Sequence, residues 1–164
     1  MVSILVAYTK KNRVIGSKGR IPWNLPSERN RFKQITNNKY IIMGRKSFNE
    51  IGHALPYCTI IIISNTIKKA PEGCLLYSSI EDAISFASKK SNEVLIAGGG
   101  EIYNKALPFT DTIYATEIDK EYDGDVFFPF LDPLIWDKTI EEEKEENSIK
   151  YTYVTYKNRK ADQQ

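Results

Sequence analysis

The sequence predicts a single α/β domain built on a mostly parallel sheet with an antiparallel finish. Two observations carry that prediction. Five short runs, "VSILVAY" (2–8), "YIIM" (40–43), "TIIIIS" (59–64), "CLLY" (74–77) and "EVLIA" (93–97), are apolar on both alternating faces, as strands covered on both sides are, and helical patterns lie between several of them. Later the character changes. "DTIYATEID" (111–119), "WDKTIEEE" (136–143) and "KYTYVTYKN" (150–158) follow one another with no helix between, and the last two alternate. That final pair reads as an antiparallel hairpin across the charged "KEENSI" turn.

The helical segments are expected at 27–37, at 46–51, along "SIEDAISFASKK" from Ser79, and along "EIYNKAL" (101–107). Pro26 suits a first helical position, where a missing N–H costs nothing. Ser79 has the chemistry of an N-cap, with Asp82 three residues on. The acidic run "EEEKEEN" reads as a solvated strand edge and turn, where charge discourages edge pairing. The whole chain, 1–164, is expected to form one domain, with about 159–164 as a flexible tail.

Composition narrows the function. At 164 residues the chain can bury a core without a metal or disulfides. A net charge of +2, from 23 basic against 21 acidic residues spread along the chain, argues for neither nucleic acid nor an anionic membrane as partner. A small anionic ligand needs only a local cluster. Cys58 and Cys74 form no CxxC pair and His53 is the only histidine, which argues against a zinc site and any His-based triad. No metal is expected. Two isolated cysteines fit a reducing compartment. "MVSILVAYT" lacks a leading positive charge and a cleavage site, so it reads as a core strand, and no run approaches the roughly 20 apolar residues of a membrane span. A soluble cytoplasmic protein is expected.

In sheets of this kind ligands bind beyond the carboxyl ends of the strands, and three connections there carry chemistry. "EVLIA" runs into "GGGEIY", where Gly98, Gly99 and Gly100 either let backbone approach a phosphate or merely permit a tight turn. "YIIMGRKSF" ends a strand at Gly44 and opens a helix with Arg45, Lys46 and Ser47, either a phosphate cradle or a basic exposed turn. Ser64 and Asn65 end the next strand on the same side. Together these suggest a dinucleotide carrying an extra phosphate.

The third connection is "IPWNLPSERNRFK" (21–33), which delivers Glu28 into the first turn of a helix. Residues 28, 32 and 35 share one stripe, so the carboxylate sits with Phe32 and Ile35 on the inward face, while Arg29 and Lys33 flank it. A carboxylate among apolar walls needs hydrogen-bond partners, and a heterocycle with an N–C–NH2 edge would match it bidentately. The alternative is an acid that only complements the helix dipole. The loop before it (9–23) has the length of a lid, with Gly16 and Gly19 as hinges.

With "NRVIG", "IPWNLP", "FK.IT", "IIMGRKSF..IG..LP", "GGGEIY", "T.ID" and "GDVFFP" in order, the chain resembles the bacterial-type dihydrofolate reductase family over essentially its whole length. The resemblance implies an eight-stranded, mostly parallel sheet with an antiparallel C-terminal strand and four flanking helices. It implies hydride transfer from NADPH to C6 of 7,8-dihydrofolate with protonation at N5, in the path to tetrahydrofolate. Glu28 takes the family's acid position, Thr116 its hydrogen-bonding partner, and Trp23 the place that organises a water. Leu5, Val6, Ala7, Phe32, Ile51, Leu55 and Ala97 would wall the pterin, aryl ring and nicotinamide. The implied cofactor-binding set is Ala7, Ile15, Gly16, Ile21, Gly44, Arg45, Lys46, Ser47, Ser64, Asn65, Gly98, Gly99, Gly100, Glu101, Ile102 and Tyr103. Arg45 and Asn65 would lie nearest the 2′-phosphate, and Ile21 at the tip of the closing loop. A monomer is the family's expectation.

One position departs from the pattern. Where the family has an arginine after "LP", clamping the folate glutamate, this chain reads "LPYC", and Cys58 cannot form a bidentate charged pair. Either Arg29 with Lys33 reaches the tail carboxylate instead, or Arg29 points to water. The departure also keeps open a same-fold reductase of a tail-less pterin or pyrimidine. A nucleotide-binding regulatory protein without catalysis is the reading from another class.

Overall fold

A computed structural model describes residues 1–18 and 20–161. Gly19, one of the two expected hinges, and residues 162–164 of the expected tail lie outside the described residues. Arg159 is tied down: its N–H donates to the Ile135 carbonyl at 2.9 Å and its Nε to that of Pro133 at 3.1 Å.

The strands and helices are β1 (Val2–Thr9), β2 (Val14–Gly16), α1 (Pro26–Thr36), β3 (Tyr40–Gly44), α2 (Arg45–Ile51), β4 (Thr59–Ile63), β5 (Leu75–Tyr77), α3 (Ile80–Ser88), β6 (Val94–Ile96), α4 (Gly100–Ala106), β7 (Thr112–Ile118), β8 (Val126–Phe127), β9 (Trp136–Glu146) and β10 (Ile149–Asn158). Eight strands form one sheet in the order β5-β4-β3-β6-β1-β7-β10-β9. All neighbours pair parallel except β7–β10 and β10–β9, so β10 is the strand that runs against the rest. The wholly apolar strands have the reason expected of them, since successive side chains enter different cores. Ile41, Met43, Ile60 and Ile62 pack under α1 and α2, while Ile42, Ile61 and Ile63 pack under α3 and α4.

Local chemistry fixes the helix starts. Ser79 Oγ accepts the Asp82 N–H at 3.1 Å and caps α3. Helix α1 begins at Pro26 with no side-chain cap of its own, and Glu146 at the end of β9 accepts the Ser27 N–H at 3.1 Å. The first turn of α1 is thereby pinned to the β9–β10 hairpin. The hairpin turn is tighter than the sequence suggests. Pairing runs through Glu146 and Ile149, leaving only Asn147 and Ser148, both with positive φ (52° and 63°). A feature without a sequence forecast is a second, two-stranded ribbon of β2 and β8, which ties the front of the 9–23 loop to residues 126 and 127.

The carboxylate of Glu117 links four strands. It accepts hydrogen bonds from Tyr8 Oη (2.7 Å), Tyr156 Oη (2.8 Å) and Lys138 Nζ (2.8 Å). Burial alone would raise its pKa, but these three donors outweigh burial and hold it below the usual carboxylate range. A depressed carboxyl stabilises the fold above the unfolded-state pKa, and that contribution is lost as pH falls through the folded-state value. Glu117→Ala is expected to cost about 3 kcal/mol near neutral pH, at the lower end for a broken buried pair because Lys138 can reach water. The deficit should shrink in acid, which denaturant titrations at two pH values would show.

Candidate active site

The strands β1 and β3 and the carboxyl end of β6 open onto a cleft of about 590 Å³ between the sheet, α1 and α2. Leu5, Val6 and Ala7 of β1, Phe32 of α1, Met43 of β3, Ile51 and Leu55 at and beyond the end of α2, and Ala97 after β6 form its apolar walls. Every wall residue expected from the sequence is among them.

Glu28 lines the inner end. Its Oε1 accepts the hydroxyl of Thr116, a buried residue of β7, at 2.9 Å. Thr116 pairs with Ala7 in the parallel register of β1 and β7, which is how a residue 88 positions away arrives beneath the helix. Burial raises the Glu28 pKa, the Thr116 bond and the charge of Arg31 oppose this, and Glu146 adds to it. The net direction is upward. The result is an acid that gains a proton more readily than an exposed carboxylate, set among apolar walls.

The glycine turn after β6 meets the start of α2 closely. The Gly44 N–H donates to the Gly98 carbonyl at 2.7 Å. A Cβ on Gly98 would meet Ser47 Oγ at 3.2 Å and Tyr103 Oη at 3.3 Å, and one on Gly99 would meet Ser47 Oγ at 3.3 Å. Backbone, not side chain, therefore meets Ser47 at this turn, while the glycines themselves are not among the residues that line the cleft. The Gly98–Gly99 peptide is cis. Ser47 and Tyr103 line the cleft, and Tyr103 donates to the Leu5 carbonyl at 2.8 Å. Arg45, Lys46 and Asn65 are exposed, and Ser64 Oγ accepts the N–H groups of Thr66 and Ile67. Ile102 is buried with its side chain against Gly44, and Ile15 lies near Gly100. Glu101 is exposed and paired with Lys105 at 3.0 Å, one turn along α4.

Some expected residues stand apart from the cleft lining. Trp23 is buried in a separate cluster with Leu25, Ile118, Ile149 and Tyr151, packed against Ala7 and Tyr153. Ile21 is exposed, and Gly16 ends β2. Lys33 turns toward the Tyr57 ring, Nζ 5.5 Å from its centroid, while Arg29 lines the cleft. Cys58 is half-buried against the core under α1 and α2, and burial pushes its thiol up to about 11, so it stays neutral. Both cysteines are free. Among the described residues no cluster of His, Cys, Asp or Glu could hold a metal ion, and no helix is long and apolar enough to cross a membrane.

The family model described as dihydrofolate reductase matches residues 1–158. The chain belongs to the dihydrofolate reductase family. It is 41% identical over 161 residues to the dihydrofolate reductase of Buchnera aphidicola subsp. Baizongia pistaciae, covering 95% of each chain. It is 39% identical over 142 residues to that of Haemophilus influenzae, covering 87% of this chain and 88% of the relative. Among solved structures it superposes with TM-score 0.86 on the dihydrofolate reductase from Enterococcus faecalis complexed with NADP(H) and RAB-propyl, at 29% identity, covering 97% of this chain and 96% of that one. Membership makes the chain an oxidoreductase of folate metabolism.

Measured against the family's pattern, the cleft contains residues that the sequence reading passed over. Arg31, Glu50, His53 and Tyr57 all line it. Arg31 and Glu50 could have been found by spacing. Arg31 lies one helical turn from Glu28, and Glu50 one turn from Ser47, each pair sharing a helix face. Tyr57 and His53 lie outside α1 and α2, where periodicity gives no direction.

Proposed function

We propose that this chain reduces 7,8-dihydrofolate to 5,6,7,8-tetrahydrofolate with NADPH, with hydride arriving at C6 and a proton at N5. The observation that carries the reading is the Glu28 carboxylate, oriented by Thr116 at the inner end of an apolar cleft. NADPH supplies the hydride. The glycine cradle suits it, because a side chain at Gly98 or Gly99 would fill the space against Ser47. The NADP(H) bound to the Enterococcus faecalis relative supports the same choice.

Within this reading Glu28 pairs with the pterin amino group and N3, which fixes the ring, and passes protons toward N5 through solvent. Thr116 orients Glu28, and Trp23 holds the water. Gly44, Arg45, Lys46, Ser47, Ser64, Asn65 and the 98–100 turn bind the phosphates, with Arg45 and Asn65 closest to the 2′-phosphate. The 9–23 loop, anchored by the β2–β8 ribbon, closes with Ile21 at its tip.

A second reading is favoured by one observation, the neutral Cys58 thiol packed into the core where the family's arginine clamps the glutamate tail. Arg29 is the exposed cation of α1 that faces the cleft, and it takes over the tail carboxylate. Lys33, turned to Tyr57, contributes less. Arg29→Leu is expected to raise KM for dihydrofolate about tenfold or more, since a charge-assisted contact contributes roughly 1.5–3 kcal/mol. KM for a dihydropterin lacking the aminobenzoyl-glutamate tail should not change. Steady-state kinetics with both substrates tests this. An unchanged KM for dihydrofolate removes Arg29 from the site, and better turnover of the tail-less compound by the unmodified enzyme favours the second reading.

A further inference from the structure

Arg31 is a cation at the inner end of the cleft that the reaction scheme leaves unused. It follows Glu28 by three positions on α1, so the two share one helix face. Its Cζ stands 3.6 Å from the centroid of the Tyr153 ring on β10. Its Nη1 is the one buried side-chain nitrogen or oxygen among the described residues that meets no hydrogen-bond partner. The described ion pairs do not include it. A half-buried guanidinium held by a ring rather than by a counter-ion is costly, and its charge acts on whatever carboxylate shares its surroundings.

We propose that Arg31 is a positioning residue of the reduction site: its ring-fixed charge sets how much of Glu28 is ionised, and so the pH range over which the enzyme turns over. This rests on the reductase reading given above.

The surroundings of Glu28 leave few competitors. On α1 itself Arg29 and Lys33 are the other cations; both are exposed, and Lys33 is turned to the Tyr57 ring. From β9, Glu146 opposes ionisation while accepting the Ser27 N–H. From β7, Thr116 donates its hydroxyl. From β10, burial and the nearby Glu28 push Tyr153 up to about 12, so the ring under Arg31 stays neutral, and Tyr151 is bonded to Ser27. β1 contributes only Leu5, Val6 and Ala7 to the cleft. Glu50 of α2 is an exposed carboxyl whose pKa burial raises. Glu141 and Glu142 of β9 act on Arg31 itself.

The sign follows from the stoichiometry. Reduction consumes a proton, so the rate falls as pH rises through the titration of the acid. Arg31 favours the ionised carboxylate. Without it Glu28 stays protonated to higher pH, and the falling limb moves upward.

The test compares the unmodified enzyme, Arg31→Met and Arg31→Lys. Turnover of dihydrofolate with NADPH is followed across pH, and the Glu28 carboxyl is titrated directly by carbon-13 NMR, assigned with Glu28→Gln. The methionine variant should move both midpoints up by about one pH unit, a tenfold change in the ionisation constant. The lysine variant, charged but without the planar fork, should return them most of the way. Midpoints unmoved in Arg31→Met, or moved equally in Arg31→Lys, would overturn the proposal. If the methionine variant does not fold, the lysine variant and Arg31→Gln decide by the same comparison. Failure of the unmodified enzyme to reduce dihydrofolate would count against the reductase reading alone, since the carboxyl titration still reports on Arg31.

Discussion

Glu28→Gln is expected to lower turnover of dihydrofolate by about 10²- to 10⁴-fold, the range that a positioned acid contributes. Glutamine matches glutamate in size, and its amide oxygen can still accept the Thr116 hydroxyl now bonded at 2.9 Å. What it removes, on the proposed scheme, is the anion that would pair with the pterin amino group and the titrating group that would relay the proton. NADPH affinity should be unchanged, because the glycine turn packs against Ser47 and Tyr103 and not against Glu28. Stability should rise. The Glu28 carboxyl is raised by burial, so its contribution to stability is present below the unfolded-state pKa and lost as pH rises through the folded-state value. At neutral pH the native enzyme carries that loss and the amide does not. Glu50→Gln, at the exposed second carboxyl of the cleft, should cost far less turnover. Kinetics and thermal unfolding of the two variants side by side would separate a working acid from a merely charged cleft. Equal losses in the two would contradict the assignment.

The second large effect is expected at the glycine turn. Gly98 has φ of +114°, a conformation that a residue with Cβ adopts only under strain. Its added Cβ would also press Ser47 Oγ at 3.2 Å and Tyr103 Oη at 3.3 Å. The serine hydroxyl can turn away. The tyrosine cannot, because its ring is buried and its hydroxyl is held by the Leu5 carbonyl at 2.8 Å. Gly98→Ala should therefore cost about 1–3 kcal/mol of stability. It should also weaken NADPH about tenfold or more by shifting the turn that borders Ser47. Titration calorimetry with NADPH and a denaturant melt would measure both. Full NADPH affinity in a folded Gly98→Ala protein would show that the cradle lies elsewhere.

The sheet was readable because its strands are apolar on both faces and its helices are short and periodic. Glu28 was readable as inward-facing because 28, 32 and 35 fall on one stripe, and Phe32 and Ile35 do pack against the core. Pieces made by distant pairing were not. The β2–β8 ribbon joins residues more than a hundred positions apart through strands of three and two residues, too short for any period to register. The turn at Asn147–Ser148 was hidden within a charged run, because two positive φ angles leave little mark when glycine is absent. Arg31 was overlooked for a chemical reason. A guanidinium in a helix is ordinarily solvated, and only the ring of Tyr153, brought alongside by β10, gives it an apolar seat. Cys58 was legible only as a departure from the family's pattern, and the structure places it half-buried against the core under α1 and α2.

On the proposed scheme this cleft moves hydride from NADPH to dihydrofolate. The most direct measurement follows the reduced nicotinamide absorbance of NADPH mixed with purified protein and dihydrofolate, with tetrahydrofolate quantified in the same sample. One NADPH consumed for each tetrahydrofolate formed, with both signals nearly lost in Glu28→Gln, is the predicted result. NADPH that binds but is not oxidised by dihydrofolate would contradict it.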